Sequence, residues 1–474
     1  MKRLAFTLIA GLLASSQPAL AQAPAKKEEP VRYTKASDIP VEVFFKRAQY
    51  ASMSISPDGK TLAALAPSNG RDNLVAIDLV SRKATLLTSF EQFDVVRFQW
   101  INNSRLLFRV ADARDVAANV RFKGTFAVDT NGESLRKITH PADKGVKRDG
   151  PELPFTFNLL ARTNDESGEV FVAMNERTRE YVDVYRYNTK TGNFKLLTFD
   201  SPGQVQGWVL DRNQVPRIAV RREDRLENNK PQFNTIWHKA DENAKWQKIG
   251  EVSSRDDSGS IRPIAFDFDN KTLYVSSNIG RDKRAIYKYD VTTGKLGDIV
   301  AEHPLIDMDG GLIFSRKQQA LLGVGYDADR PGTAWFDESF AKLQAAFDKS
   351  FPGKTNELIL SEDTGRMLLF SYSDVDPGTY YLFDGEKRSM EKIAETHPWL
   401  EPKLMSERKF IKYKARDGME IPAWVTIPKG TTGKNLPLVI NIHGGPWARV
   451  YNWAEWGRPE AQFFASRGSG SSTT

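Results

Sequence analysis

Ser54-Ile55-Ser56-Pro57-Asp58-Gly59-Lys60-Thr61-Leu62-Ala63 decides how the front of this chain is read. Apolar and polar side chains alternate on both sides of a Pro-Asp-Gly turn. That is the pattern of two short antiparallel strands, since a strand shows its faces with a period of two and a tight turn needs a residue that tolerates positive φ. Asn73 to Leu79 and Ala84 to Leu87 continue it, giving one unit of four short strands. A second unit comprises Val96 to Trp100, Arg105 to Val110, Thr125 to Asp129 and Leu135 to Ile138; a third comprises Leu159 to Arg162, Glu169 to Met174, Asp183 to Asn188 and Phe194 to Leu197. A less regular fourth runs from Gln204 to Gly250, and Pro263 to Phe268, Thr272 to Ser276, Ala285 to Asp290 and Leu296 to Val300 form a fifth. Gly310 to Leu343 and Glu357 to Ile393 bring the count to seven between Tyr50 and His397. The outer turns are alike: Asp129-Thr130-Asn131-Gly132, Asn188-Thr189-Lys190-Thr191-Gly192 and Asp290-Val291-Thr292-Thr293-Gly294. A repeat of about 40 to 50 residues with four strands each predicts an all-β propeller of about seven four-stranded blades. A pair of β-sandwiches is the competing architecture, disfavoured because sandwiches lack a regular unit length. In the sixth unit Phe336, Phe340, Leu343 and Phe347 share helical spacing, which predicts an inserted helix over Asp337 to Ser350 packed on its own blade.

The pattern changes after Pro398. Lys409 to Lys414 and Ile421 to Ile427 predict an antiparallel hairpin across Arg416-Asp417-Gly418-Met419. Leu436 to Ile442 is expected to be a buried third strand beside it, and Pro459 to Ser466 a helix. The third strand runs into His443-Gly444-Gly445-Pro446-Trp447-Ala448-Arg449, a sharp loop whose unpaired backbone N–H groups can hold an oxyanion. Without further covering elements, this piece is expected to expose apolar edges and faces.

Tyr413 to Trp424, the His443 to Arg449 turn and Gln462 to Gly468, in that order behind a long β-rich region, resemble the prolyl oligopeptidase family of serine peptidases, in particular its bacterial acylaminoacyl- and dipeptidyl-peptidase-like members. The resemblance implies a propeller in front of an α/β-hydrolase domain and covers nearly all of the chain after residue 21. It implies hydrolysis of short peptides that the propeller admits by size, with no cofactor. It also makes the backbone N–H of Gly445 an oxyanion donor, with His443, Gly444 and Pro446 shaping the turn. His443 is not assigned as a catalytic base, because the family's triad histidine lies near the end of the complete domain. Arg449 is read equally as a structural ion pair or as surface charge. The departure from the family is that no Gly-x-Ser-x-Gly occurs: Gly468-Ser469-Gly470-Ser471-Ser472 fails the spacing and lacks a strand before it. None of the triad is therefore expected, and the chain is expected to be inactive alone. The division that follows is a signal peptide (1–21), a linker and N-terminal segment (22–49), the propeller (50–397), the incomplete start of an α/β-hydrolase domain (398–468) and a flexible non-family tail (469–474) left by truncation, frame shift or an artificial boundary. The alternative is a non-catalytic propeller that binds peptides or proteins. Proline iminopeptidases share the His-Gly-Gly-Pro turn, but near their start and without a propeller ahead of it.

Composition agrees with an exported globular protein. At 474 residues and 40% hydrophobic content the chain can form two or three domains. Lys2 and Arg3, the apolar run Leu4 to Leu13 and Ala19-Leu20-Ala21 read as a secretory signal, since the run is short of the roughly 20 residues that span a bilayer. The rest is expected in the periplasm or secreted, with no membrane attachment. The absence of cysteine excludes disulfides, thiolate metal sites and a lipidated cysteine. The net charge of +7 is spread among interleaved acids, as in Arg221-Arg222-Glu223-Asp224-Arg225, so a nucleic-acid partner is not expected. No metal motif occurs, and Asp307, Asp309, Asp327 and Asp329 read as blade-turn residues. The resemblance offers Glu176, Arg177, Arg179 and Glu180 as a loop that could hold a substrate amine, because dipeptidyl-peptidase relatives use propeller glutamates in that way; the local pattern favours solvated charges. Nothing in the sequence fixes an oligomeric state.

Overall fold

The strands predicted around the Pro-Asp-Gly turn pair as Ala51–Ile55 and Thr61–Ser68, followed by Arg71–Asp78 and Ala84–Leu86, in one sheet with consecutive neighbours. This comes from a computed structural model that describes residues 31–114, 123–138, 155–163, 165–223, 233–253, 259–362, 365–442, 453–454, 456 and 459–473. Six such four-stranded antiparallel sheets and one of three strands follow each other between Ala51 and Glu395. Turn chemistry sets their hairpins. Gly132, Gly192 and Gly294 sit at φ 87°, 82° and 69°, and a Cβ at Gly294 would lie 2.6 Å from the carbonyl oxygen of Ile249. Asn188 Oδ1 accepts from the N–H groups of Lys190 and Thr191 at 3.0 and 2.9 Å.

The period of two explains why the sheets form a ring. Along Thr61–Ser68, Leu62 and Ala64 face one way and join a cluster with Leu368 and Leu382 of blade seven, while Ala63 and Leu65 face the other and join Leu106 and Phe108 of blade two. Further clusters fill the next four gaps in turn, Leu107 with Val172, Ala173 with Trp208, Ile218 with Val275, and Tyr274 with Val324, and in the last gap Trp335 of blade six packs with the cluster of Leu358 in blade seven. Every sheet is buried on both faces by its neighbours, and the first and last sheets bury each other. Burying one such Leu or Val contributes about 1.5–3 kcal/mol, so most of the stability lies between blades. The first strands of the blades surround a central channel, into which Gln99, Leu159 and Val209 project.

Blade six departs from expectation. It has three strands, Leu312–Ser315, Ala320–Asp327 and Pro331–Trp335, and then a helix, Glu338–Ser350, whose N-cap Asp337 accepts from the N–H groups of Ser339 and Phe340. The helix is where its spacing predicts and packs on its own blade as expected: Phe340 stacks on Trp335 at 5.1 Å, and the Trp335 indole donates to the Gln344 side chain at 3.3 Å. The same apolar face also reaches the next blade, where Phe340, Leu343 and Phe347 lie against Leu358, Met367, Leu369 and Phe383.

After the propeller, Arg408–Lys414 and Glu420–Thr426 form the expected hairpin. Three expectations for this region are corrected. Gly470–Thr473, read as part of a flexible tail, is a strand: it pairs antiparallel with Glu420–Thr426 and parallel with Leu438–Asn441. It therefore separates the hairpin from Leu438–Asn441, which was expected beside it, and the sheet order is Arg408–Lys414, Glu420–Thr426, Gly470–Thr473, Leu438–Asn441. Serine and threonine tolerate a ladder well, and here backbone pairing on both sides outweighs a loop-like composition. The strand Leu438–Asn441 is not buried: it is the sheet edge, with Leu438 and Ile440 about three-fifths exposed. Among the described residues no helix is long and apolar enough to cross a membrane.

One buried cation ties blades two and three. Arg105 is fully enclosed: its Nη1 donates to Asp129 at 2.7 Å, Nε to the Thr189 hydroxyl at 2.9 Å and Nη2 to the Thr189 carbonyl at 2.9 Å. Replacing it strands Asp129 and removes the link, so Arg105→Ala should lower stability to urea by about 3–5 kcal/mol, whereas Lys342→Ala, at an exposed helix pair with Glu338, should leave the urea midpoint essentially unchanged.

Candidate functional site

A parallel strand pair with a crossover opens a crevice at its carboxyl ends, where a ligand can meet loop N–H groups. Leu438–Asn441 and Gly470–Thr473 are such a pair, joined through the helix Glu460–Ser466. His443, Gly444, Gly445, Pro446 and Arg449, the predicted oxyanion turn and its neighbour, lie outside the described residues. What can be stated is how the chain is held on either side of them. Upstream it leaves the edge strand at Asn441. Downstream it is fixed to the propeller.

That fixation rests on a few side chains. Trp453 donates its indole N–H to the Arg408 carbonyl at 3.2 Å and lies 4.1 Å beneath the Arg330 guanidinium of blade six. The Trp456 indole donates to the Ser373 carbonyl at 2.7 Å. Gln462 is buried and uses its amide fully, accepting from Ser406 N–H at 2.9 Å and donating to the Asp374 and Ser406 carbonyls at 2.8 Å each. Phe463 meets Phe44 and Phe45 edge-on at 6.0 and 6.2 Å, so the short helix Val41–Phe44 also clamps this end. Asp374 accepts from Arg408 N–H at 2.6 Å, yet burial pushes its carboxyl above the usual range. A cavity of about 710 Å³ lies here, between Arg330, Lys354 and Asp374 on the propeller and Arg408, Phe410 and Trp453.

Several of the other charged candidates are paired within the propeller. In blade three Arg177 makes a two-point pair with Asp183 at 2.8 and 2.7 Å, and Asn175 donates to the Arg179 carbonyl at 3.0 Å. Glu176 lies beside Tyr185, whose phenol burial first and then Asp183 push up to about 12, while Glu180 is exposed. Asp309 accepts from Ser276 Oγ at 2.9 Å and Arg284 Nε at 3.0 Å, and Asp307 from Arg284 N–H at 2.8 Å. Among the described residues no three acidic or histidine side chains are grouped to hold a metal. A second cavity, of about 850 Å³, fills the channel at the end formed by the turns between first and second strands. Arg162 of blade three reaches Glu362 of blade seven across that mouth.

No family model matches the chain. Dipeptidyl aminopeptidase BIII of Pseudoxanthomonas mexicana is 24% identical over 98% of this chain, which spans 64% of that protein's length. The chain is similar in sequence to this dipeptidyl aminopeptidase and in fold to prolyl oligopeptidases. Solved structures agree on the fold: a puromycin hydrolase matches 93% of this chain and 67% of its own at a TM-score of 0.55 and 16% identity. Prolyl oligopeptidase B from Galerina marginata, bound to a 35mer hydrolysis and macrocyclization substrate, matches 91% and 62% at 0.58 and 12% identity. The sequence offered the turn as its candidate. It did not point to Gln462, Trp453, Asp374 or the Arg162–Glu362 pair, whose partners are distant in sequence. The one signal available was the cluster of Trp447, Trp453 and Trp456 in a short stretch that needs none of them for strand or helix formation.

His397 sits at the same junction, 5.4 Å from the Trp399 ring and 6.4 Å from that of Trp456. Burial lowers its pKa to about 4, so the folded form holds it neutral. With an unfolded value near about 6.5, the unfolded chain takes up the proton first as pH falls, and this contribution to stability is lost between about pH 6.5 and 4. Urea midpoints measured across that window should fall less steeply for His397→Phe than for the parent chain.

Proposed function

We propose that this polypeptide is the substrate-selecting and oxyanion-binding part of an exported serine peptidase that hydrolyses short peptides. The observation that carries the reading is the placement of the chain around the His443-Gly444-Gly445-Pro446 turn, between the carboxyl end of a parallel strand and side chains fixed to the propeller. Backbone N–H groups that are aimed before the reaction stabilise an oxyanion without reorganising at the moment of reaction. In the full reaction a serine attacks the scissile carbonyl, a histidine carries its proton to the leaving amine, and the Gly445 N–H with a second N–H beside the nucleophile holds the developing oxyanion. One such donor lowers the barrier by about 3 to 4 kcal/mol. It supplies neither nucleophile nor base, so these 474 residues by themselves leave peptides intact. The propeller's channel admits short, unfolded peptides and excludes folded proteins.

The test uses an active-site probe. A fluorophosphonate should leave the 474-residue chain unlabelled, and chromogenic dipeptide substrates should not turn over. A polypeptide extended in the reading frame that restores a strand, a Gly-x-Ser-x-Gly and the later Asp and His should label once per chain and cleave them. Stoichiometric labelling of the short chain would overturn the inactivity, and an unlabelled extended chain that still binds peptides would favour a purely binding propeller. Export is tested by mass measurement of protein from the periplasmic fraction, which should begin at Gln22.

A further inference from the structure

The junction with the following sheet is made by turns between second and third strands, at Arg330 and Ser373. The 850 Å³ cavity, at the turns between first and second strands, therefore marks the opposite mouth of the channel. Its rim is tied from blade to blade. The Glu362 N–H of blade seven donates to the Pro57 carbonyl of blade one at 3.1 Å. Asn103 of blade two accepts from the Asp58 N–H at 2.9 Å and donates to Glu166 of blade three at 2.9 Å. Gln214 of blade four donates to the Arg162 carbonyl at 2.7 Å, and Asn270 of blade five accepts from the Arg212 N–H at 2.7 Å. From blade seven round to blade five, the turns cannot part without giving up these bonds, so the circumference of the rim is set.

One contact takes another path. The Arg162 guanidinium of blade three pairs with the Glu362 carboxylate of blade seven. In the ring of seven sheets two blades lie between these on one side and three on the other, so no two blades stand further apart, and the contact crosses the opening instead of following the rim. The backbone at each end is held by the rim, at the Arg162 carbonyl and the Glu362 N–H, which leaves only the two side chains to swing aside. Those side chains are 18% and 34% exposed. An ion pair wetted in this way breaks and re-forms at little cost and weakens with salt, unlike one at the enclosed Arg105.

We infer that Arg162 and Glu362 form a bar across the far mouth of the channel and set the size of what passes it. Small molecules go round the closed pair, whereas a polypeptide segment passes only when the pair is broken. The pair is thus a determinant of specificity: it touches no reacting atom and acts by narrowing an opening whose rim cannot widen. Its use as a filter for peptides rests on the reading of this chain as a peptide-handling propeller.

The experiment measures access to the cavity in the full chain. The chain has no cysteine, so Gln99→Cys, on the first strand of blade two and exposed on the cavity wall, supplies a single thiol. Two reagents are compared: N-ethylmaleimide, and a maleimide held on a globular carrier protein by a polyethylene glycol tether of about 10 Å, too short to run the roughly 20 Å of a six-residue strand from the opposite mouth. The carrier reagent should label the thiol at least about fivefold faster when Glu362→Gln or, separately, Arg162→Gln is added. N-ethylmaleimide should label all three chains at one rate, and thermal unfolding checks the fold of each. Raising salt from about 0.05 to 1 M should speed carrier labelling of the chain that keeps the pair and leave the two variants unchanged. Equal carrier rates with and without the pair, whether fast or slow, would overturn the bar, as would a salt effect shared by all three chains. Neither reagent is a peptide, so labelling judges the bar alone, while peptide cleavage by the extended chain judges the peptidase reading; each can fail without the other.

Discussion

The constraint on which the rest depends is that no blade can bury itself. A twisted four-stranded sheet with apolar residues on both faces is stable only between two others, and alternation along each second strand sends neighbouring residues to opposite gaps. The ring must therefore close, and it does so where Leu62 and Ile77 meet Leu368 and Leu382. Polar links reinforce this seam: Arg82 pairs with Glu391 at 2.6 Å, and the Glu362 N–H reaches the Pro57 carbonyl at 3.1 Å. The closed ring gives the channel a rigid wall, and with it the fixed spacing across the mouth that lets Arg162 and Glu362 meet although they are 200 residues apart.

The junction with the following sheet works on a different principle. It is small and mixed, built from indole and amide donors aimed at backbone carbonyls and from one aromatic cluster. The segment ahead of the propeller contributes as much as the segment behind it, since Ile39 and Phe44 are buried against Met405 and Phe463, and Arg467 donates to the Ile39 carbonyl at 2.6 Å. Both ends of the described chain thus meet on one side of the ring.

The propeller was legible in the sequence because its rules are local: a period of two, a turn every few residues and a repeat of fixed length. Asp290 and Gly294 announce their hairpin without any knowledge of the fold. Blade six was legible only in part: Phe340 and Phe347 reveal an apolar helix face, which meets Trp335 of its own blade, but not that the same face also covers residues 358 to 383. Gly470 to Thr473 misled. Their composition suits a linker, and only the two open ladders of Thr426 and Leu438 make them a strand. The glycines at 444 and 445 suggest an oxyanion turn by local pattern alone, whereas Gln462 and Trp456 act over separations that no local pattern encodes.

The edge formed by Leu438–Asn441 has a practical meaning. One ladder of N–H and C=O groups is satisfied by Ser471 and Ser472, while the outer ladder faces water beside Ile440 and Ile442. Such an edge accepts any extended segment of suitable register, including the same strand of another molecule. Solutions of this protein should therefore grow turbid with concentration by adding strand to strand, and a charged residue at position 440 would act as a gatekeeper against that growth without disturbing the ring.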